Sequence, residues 1–92
     1  MQNQNSPSLP ANISRQELQE IVRSQLLVLL EQEDLRGAKA LLVPVQPVDI
    51  AAVITELPAV KQAIAFRLLS KDEAIEVYEY LDSNVQQALI EE

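Results

Sequence analysis

Five carboxylates stand close together in the stretch LLSKDEAIEVYEYLD, which covers residues 68–82. They are Asp72, Glu73, Glu76, Glu79 and Asp82. Carboxylate oxygens are the ligands that hard divalent cations prefer, and Mg²⁺ needs only one or two of them because it keeps several of its waters. A Ca²⁺ loop of the type Asp-x-Asp-x-Asp-Gly does not occur in the sequence. The stretch therefore suggests weak Mg²⁺ binding, and the ordinary alternative is a solvated helix face.

The spacing of these acids places three of them on one stripe of a helix. At about 100° per residue, Asp72, Glu76 and Glu79 point the same way. The apolar residues of the stretch fill the opposite side: Ala74, Val77, Tyr78 and Leu81. Like charges at this spacing destabilise a helix, and residues 72–92 contain seven acids and no base. We therefore take Asp72, Glu76 and Glu79 as candidate metal ligands that face solvent and are neutralised from outside.

Composition excludes several classes of function. The chain has 92 residues, a net charge of −7, no His and no Cys. Such a charge disfavours binding to nucleic acid or to an anionic membrane surface. Without His, no usual general base is present, and Ser14 and Ser70 are interpreted as helix caps instead of nucleophiles. The longest apolar run has five residues, so the sequence predicts a soluble, intracellular segment without direct membrane insertion, and no enzyme.

Helix signals recur along the chain and predict an all-α domain over residues 14–92 after a disordered leader over residues 1–13. Ser14-Arg15-Gln16-Glu17 is a capping box, which predicts a helix from about residue 15 to residue 32. Its expected buried face consists of Leu18, Ile21, Val22 and Leu29. Asp34 is expected to cap a short second helix, which the prolines of VPVQP end.

Short helices follow one another from there to the end of the sequence. One stops before Pro58, the next spans about residues 59–69, and Ser70 and Asp82 begin the last two. The helix at 59–69 is apolar nearly all round, interrupted by Lys61, Gln62 and Arg67, so we expect it to be covered on more than one side.

A shift of 24 residues superimposes several of these positions. It places Val53 on Val77, Leu57 on Leu81, Gln62 on Gln86, Ala65 on Leu89 and Phe66 on Ile90. The repeating unit is a pair of short helices, with an irregular forerunner near Asp34. This period favours a solenoid, and a plain helical bundle is the alternative.

Two segments, PVDIAAVITELP and LLSKDEAIEVYEYLD, resemble the N-terminal cytosolic domain of MgtE-type magnesium transporters. The matching positions are Pro47, Asp49, Ile50 and Ala51, then Leu57 and Pro58, then Leu68, Leu69, Ala74, Glu76, Val77 and Leu81. Ser70 departs from the proline that is common in the family, a change that a helix N-cap tolerates. The likeness covers about residues 44–92.

This resemblance implies a right-handed superhelix of short helix pairs at the cytoplasmic face of the cell membrane. It also implies regulation of ion transport: Mg²⁺, bound weakly between acidic surfaces of this domain and CBS domains of the same full-length chain, holds the transmembrane pore shut. Glu76 aligns with an acidic family position at that interface, whereas Asp72 and Glu79 come from the helical wheel alone. The full-length protein is expected to be a homodimer and to continue with further helical repeats.

A second interpretation of the sequence assigns the domain to a different class of function. Stacked short helices also build protein–protein scaffolds, such as the flagellar motor-switch rotor protein and armadillo-like modules. In such a scaffold the acidic stripe would dock a basic partner and have no metal role.

Overall fold

A computed structural model describes residues 13–91 of the protein. Within this range the chain forms six α-helices and no strands, which confirms the all-α prediction. The helices are α1 (Arg15–Glu31), α2 (Leu35–Leu42), α3 (Pro47–Thr55), α4 (Ala59–Arg67), α5 (Lys71–Tyr80) and α6 (Ser83–Glu91). Apart from Ile13, the predicted disordered leader lies outside the described residues.

Side-chain caps start α1 and α5 where the sequence predicts them. The Ser14 hydroxyl accepts from the Glu17 amide and the Ser14 amide donates to the Glu17 carboxylate, both at 3.0 Å. Ser70 and Glu73 make the same reciprocal pair at 3.2 Å. Each box satisfies two backbone donors that have no partner inside the helix, and both predicted capping boxes are confirmed.

The connection from α1 to α2 is a tight turn through a left-handed residue. Glu33 has a φ of 57°, and its amide donates to the Leu30 carbonyl at 3.1 Å. The Asp34 amide donates to the Leu29 carbonyl at 2.8 Å, which completes a Schellman motif. Asp34 then caps α2 as predicted, since its carboxylate accepts from the Gly37 amide at 2.9 Å. Glycine is the usual residue at the left-handed position, so Glu33 is held there at some conformational cost.

The core is aliphatic, because the sequence contains only one Phe, two Tyr and no Trp. Helix α3 packs against both α1 and α5, α2 packs against α1, and α4 contacts α3 and α6. The buried cluster joins residues of all six helices: Val22, Leu26, Leu30, Ala38, Leu42, Ile50, Ala51, Val53, Ile54, Leu57, Ala65, Val77, Leu81 and Val85. Helix α3 contributes more of these residues than any other helix, because neighbours cover it on more than one side.

The buried face of α1 differs from the predicted one. Three of the four expected residues pack into the core or against it: Leu18, Val22 and Leu29. Ile21 is 36% exposed, so its assignment to the buried face is wrong. Leu26 and Leu30 are buried in its place, since α1 packs against both α2 and α3. A run as rich in leucine as residues 26–30 has no clear polar side, and the neighbouring helices determine which residues are covered.

Helix α4 differs from the expectation in a similar way. Gln62, which appears in the sequence as a polar interruption, is only 8% exposed, whereas Val60 is 64% exposed. The Gln62 side-chain amide donates to the Ile54 carbonyl at 3.0 Å. Burial of the amide is tolerated because this bond gives its NH₂ group a partner at the end of α3, where the Ile54 carbonyl also accepts from the Leu57 amide at 3.0 Å.

The helix pairs α3–α4 and α5–α6 share the 24-residue period of the sequence. The first residues of α3 and α5, Pro47 and Lys71, are 24 positions apart, and Ala59 and Ser83 repeat this for α4 and α6. The glutamine bond recurs as well, in a partly buried place: the Gln86 amide donates to the Tyr78 carbonyl at 2.7 Å, eight residues back, as Gln62 does to Ile54. Helix α2 begins 24 residues before α4 and corresponds to the expected forerunner near Asp34.

Candidate acidic site on α5

Helix α5 is held in a fixed rotation by its own apolar side. Val77 is fully buried and Leu81, just after the helix, is 5% exposed. Both pack in the core on the side where α5 meets α3. Because these residues turn inward, residues on the other side of the helix turn outward.

The three candidate ligands lie on that outer side. Asp72, Glu76 and Glu79 are all exposed. Two ion pairs are present within residues 13–91, Arg15 with Asp49 and Lys61 with Glu31, and neither involves the candidate ligands. The carboxylates of the stripe therefore form no ion pair with a base among residues 13–91.

The whole net charge of the protein lies in residues 72–92. Residues 1–71 contain seven acids and seven bases, whereas residues 72–92 contain seven acids and no base, which accounts for the net charge of −7. The potential around α5 and α6 is thus strongly negative, and it attracts cations and basic surfaces.

The stripe alone does not form a preassembled metal site. Across residues 13–91 no three Asp, Glu, His or Cys side chains are grouped closely enough to hold a metal ion. Exposed carboxylates still match Mg²⁺ chemically, because Mg²⁺ accepts one or two of them together with water. Ligation by Asp72, Glu76 and Glu79 stays a prediction, and it requires oxygens from water or from a second surface.

Asp49 is a residue whose role the sequence does not reveal. It is 3% exposed although it carries a charge. One of its oxygens accepts from the Gln19 side-chain amide at 2.8 Å and lies 3.5 Å from the Arg15 guanidinium. Both partners belong to α1, thirty or more residues away, so Asp49 ties α1 to α3. Its position in the first turn of α3, two residues after Pro47, is the local signal, because an acid is favoured there.

Comparison with known proteins identifies the family. A model of the MgtE intracellular N domain matches residues 45–92, which are 48 of the 92 residues. The chain belongs to this family. The resemblance found in the sequence is thereby confirmed, and the chain represents the cytosolic part of an MgtE-type magnesium transporter. No curated protein and no solved structure matches it.

The MgtE N domain match places the candidate site inside the family region. It begins just before α3 and includes α5 with its acidic stripe, whereas α1 and α2 lie outside it. Asp49 therefore joins the matched region to α1, which lies outside it. None of the helices in residues 13–91 combines the length and the apolar character that a membrane crossing requires.

Proposed function

We propose that this domain senses intracellular Mg²⁺ and regulates the pore of the transporter to which it belongs. The observation that carries the proposal is the concentration of the whole net charge in residues 72–92 of an MgtE N domain, with acids that face solvent. In this proposal the acidic side of α5 closes against CBS domains of the same full-length chain when Mg²⁺ is plentiful.

In this proposal, electrostatic repulsion between the acidic surfaces of the two domains favours the open arrangement. Two unit charges about 4 Å apart interact by about 1 kcal/mol in water and about 4 kcal/mol near a protein surface. Asp72, Glu76 and Glu79 opposite acids of a second domain therefore favour separation by several kcal/mol in total. Mg²⁺ supplies positive charge and coordination positions that offset this repulsion. Mg²⁺ binds the closed arrangement more tightly than the open one, and this difference in affinity raises the population of the closed arrangement.

Three further parts of the proposal follow from the family. The stacked pairs α3–α4 and α5–α6, with their shared 24-residue period, support a right-handed superhelix. The domain acts at the cytoplasmic face of the membrane, and the full-length protein is a homodimer. Its function in this proposal is regulatory and not enzymatic, and the acids of α5 lie on an exposed side of the helix.

The 92-residue chain provides the first test. Thermal unfolding is followed by circular dichroism in about 10 mM MgCl₂ and in about 30 mM NaCl, which have equal ionic strength. We expect a small stabilisation by Mg²⁺, of about 0.4 kcal/mol where its concentration equals the Kd of one site. A stabilisation of several kcal/mol would mean that the chain holds a complete site, contrary to the proposal.

The decisive test uses the transporter that contains this domain. Closure is measured as Mg²⁺-dependent protection from limited proteolysis, in wild type, Glu76→Gln and Glu20→Gln. Glu20 is a matched control because it is an exposed acid on α1, outside the family region. We expect Glu76→Gln to move the protection to higher Mg²⁺ and Glu20→Gln to leave it unchanged. Equal responses from all three proteins would rule out Glu76 as a ligand.

A further inference from the structure

The outward sides of α2 and α4 carry bases together with exposed aliphatic residues. On each helix these residues are spaced i, i+4 and i+7, which places them on one side of the helix. They are Arg36, Ala40 and Val43 on and just after α2, and Val60, Ile64 and Arg67 on α4. A shift of 24 residues superimposes the two sets, so they occupy equivalent places in the repeat. We call the surface that they form with Lys39 the basic face.

The basic face is open although α4 has a neighbour on either side. Val60 is 64% exposed and Val43 is 61% exposed, large amounts for aliphatic side chains. Helix α4 contacts α6, and the Lys39 ammonium of α2 donates to the Leu68 carbonyl at the end of α4, at 2.9 Å. In a stack of repeats each unit contacts only its neighbours, so a further repeat after α6 would leave Val60 exposed.

The charge of this side of the fold is positive. Helices α2 and α4 contain four bases and no acid: Arg36, Lys39, Lys61 and Arg67. Lys61 pairs with Glu31 at 3.3 Å, and the other three bases form no ion pair within residues 13–91. Because Lys39 reaches the carbonyl of the residue after Arg67, the charges of the two helices lie near each other at the end of α4.

A surface of the opposite charge is present in the same chain. It is the acidic stripe of α5, which consists of Asp72, Glu76 and Glu79. Tyr80, one turn after Glu76, is 60% exposed beside it. The counterparts of the stripe one repeat earlier are Val48, Ala52 and Thr55. None of these three is buried, although α3 packs between α1 and α5, so a following repeat would leave the stripe open as well.

We propose that two copies of this domain associate, with the acidic stripe of one docked on the basic face of the other. The carboxylates of the stripe meet Lys39 and Arg67, and the Tyr80 ring packs on the exposed aliphatic residues of the basic face. Because the two surfaces differ, the contact is heterologous, and each copy presents one surface of either kind. This inference goes beyond Mg²⁺ sensing and does not depend on it, because opposite charges of the chain itself provide the attraction.

The net charge of −7 on each copy does not prevent this contact. At about 0.15 M salt, exposed charges more than about 8 Å apart are largely screened from each other, whereas the described chain is 55 Å long. Repulsion between the acidic ends of two copies is therefore weak unless those ends meet. Pairing of stripe with stripe would bring like charges together in the interface and is disfavoured, whereas pairing of stripe with basic face brings opposite charges together.

Sedimentation equilibrium of the 92-residue chain tests the association, with EDTA present so that Mg²⁺ has no part in the result. We expect the weight-average mass to rise with protein concentration up to about 1 mM, as for a weak contact of small area. A rise in NaCl from about 0.05 M to about 0.5 M should weaken the association several-fold, because exposed charges carry it. A mass that stays monomeric at every concentration would overturn the proposal.

Two charge reversals test whether the contact joins different surfaces. Arg67→Glu damages the basic face and Glu79→Lys damages the acidic stripe, and both side chains are exposed, so the fold should be kept. Each variant alone should associate at least about tenfold more weakly than wild type. A mixture of the two should associate again as 1:1 pairs. The reason is that the intact stripe of the Arg67→Glu protein meets the intact basic face of the Glu79→Lys protein.

Glu20→Lys is the matched control for Glu79→Lys. It makes the same change of charge at an exposed acid of α1, outside both surfaces, and should not weaken the association. Equal weakening by Glu20→Lys and Glu79→Lys would show that net charge alone matters, against the proposal. Variants that stay monomeric when mixed would contradict a heterologous contact. An Arg67→Glu protein that associates as wild type does would exclude the basic face as the docking surface.

Discussion

Replacement of Asp49 tests the contact that joins α1 to the family region. Asp49 is a buried carboxylate on α3 whose partners, Gln19 and Arg15, both belong to α1. Asp49→Ala removes the hydrogen bond and the ion pair together. Asp49→Asn keeps the shape and one acceptor oxygen but removes the charge. The two variants separate the loss of the contact from the loss of its electrostatic part.

The size of the effect follows from the geometry. A hydrogen bond to a charged group contributes about 1.5–3 kcal/mol, and the 2.8 Å bond from Gln19 is of this type. The Arg15 side chain is 59% exposed, so its ion pair adds only about 0.2–1 kcal/mol. An acid in the first turn of a helix adds about 0.3–1 kcal/mol. Because Asp49→Ala also relieves the desolvation of the carboxylate, we expect a net loss of about 2–3 kcal/mol.

Two milder substitutions should lower the stability less than Asp49→Ala does. We expect Asp49→Asn to lose about 1–2 kcal/mol, because Gln19 keeps an acceptor while the charge is lost. Arg15→Ala should lose less than about 1 kcal/mol, since its guanidinium stays hydrated. A domain of this size has a total stability of about 4–12 kcal/mol, so each difference is measurable.

Urea unfolding followed by far-ultraviolet circular dichroism provides the assay, because the chain has no Trp to report by fluorescence. A double-mutant cycle between Gln19→Ala and Asp49→Ala isolates their interaction. We expect a coupling of at least about 1 kcal/mol. Additive effects of the two substitutions, or an Asp49→Ala variant as stable as wild type, would refute the link between α1 and α3.

Two further substitutions test backbone features of the fold. Glu33→Gly should stabilise the domain by about 1 kcal/mol, because glycine takes a positive φ without strain, whereas Gln32→Gly, at a φ of −83°, should destabilise it. A loss from both in urea unfolding would contradict the left-handed turn. Gln62→Met should lose about 0.5–1.5 kcal/mol through the lost hydrogen bond to the Ile54 carbonyl, which still accepts from the Leu57 amide, and Gln86→Met less, since its bond is only partly buried. If Gln86→Met lost more stability than Gln62→Met in the same assay, the two bonds would not be equivalent features of the repeat.

Local chemistry made the helix boundaries predictable. Ser14 and Ser70 each precede a glutamate at the spacing of a capping box, and both boxes form. The prolines of VPVQP end α2 and start α3 for reasons that involve only neighbouring residues. The exposure of Ile21 and the burial of Gln62 were not predictable in this way. They depend on which helices lie beside α1 and on a carbonyl eight residues away.

The distinction between local sequence signals and contacts between helices applies also to the candidate functional residues. Helical periodicity predicts that Asp72, Glu76 and Glu79 are exposed, because Val77 and Leu81 lie on the opposite side of α5. The role of Asp49 does not, because its partners lie at least thirty residues away and no local pattern connects them. Residues whose function depends on one helix can be found from the sequence, and those that bridge helices require the fold.

The order of packing connects these two kinds of residue. Helix α1 holds α3 through Asp49, α3 packs on α5, and α5 presents the acids. Substitutions at Asp49 therefore reach the acidic stripe only through the aliphatic contact between α3 and α5, which carries no charge. Because Val77 holds the rotation of α5 by packing, Asp49→Asn should lower stability while the Mg²⁺ dependence of the remaining folded protein stays as in wild type. Glu76→Gln should leave the stability nearly unchanged, since an exposed carboxylate contributes little to folding. It should alter the Mg²⁺ dependence, because its charge is part of the surface that a cation meets.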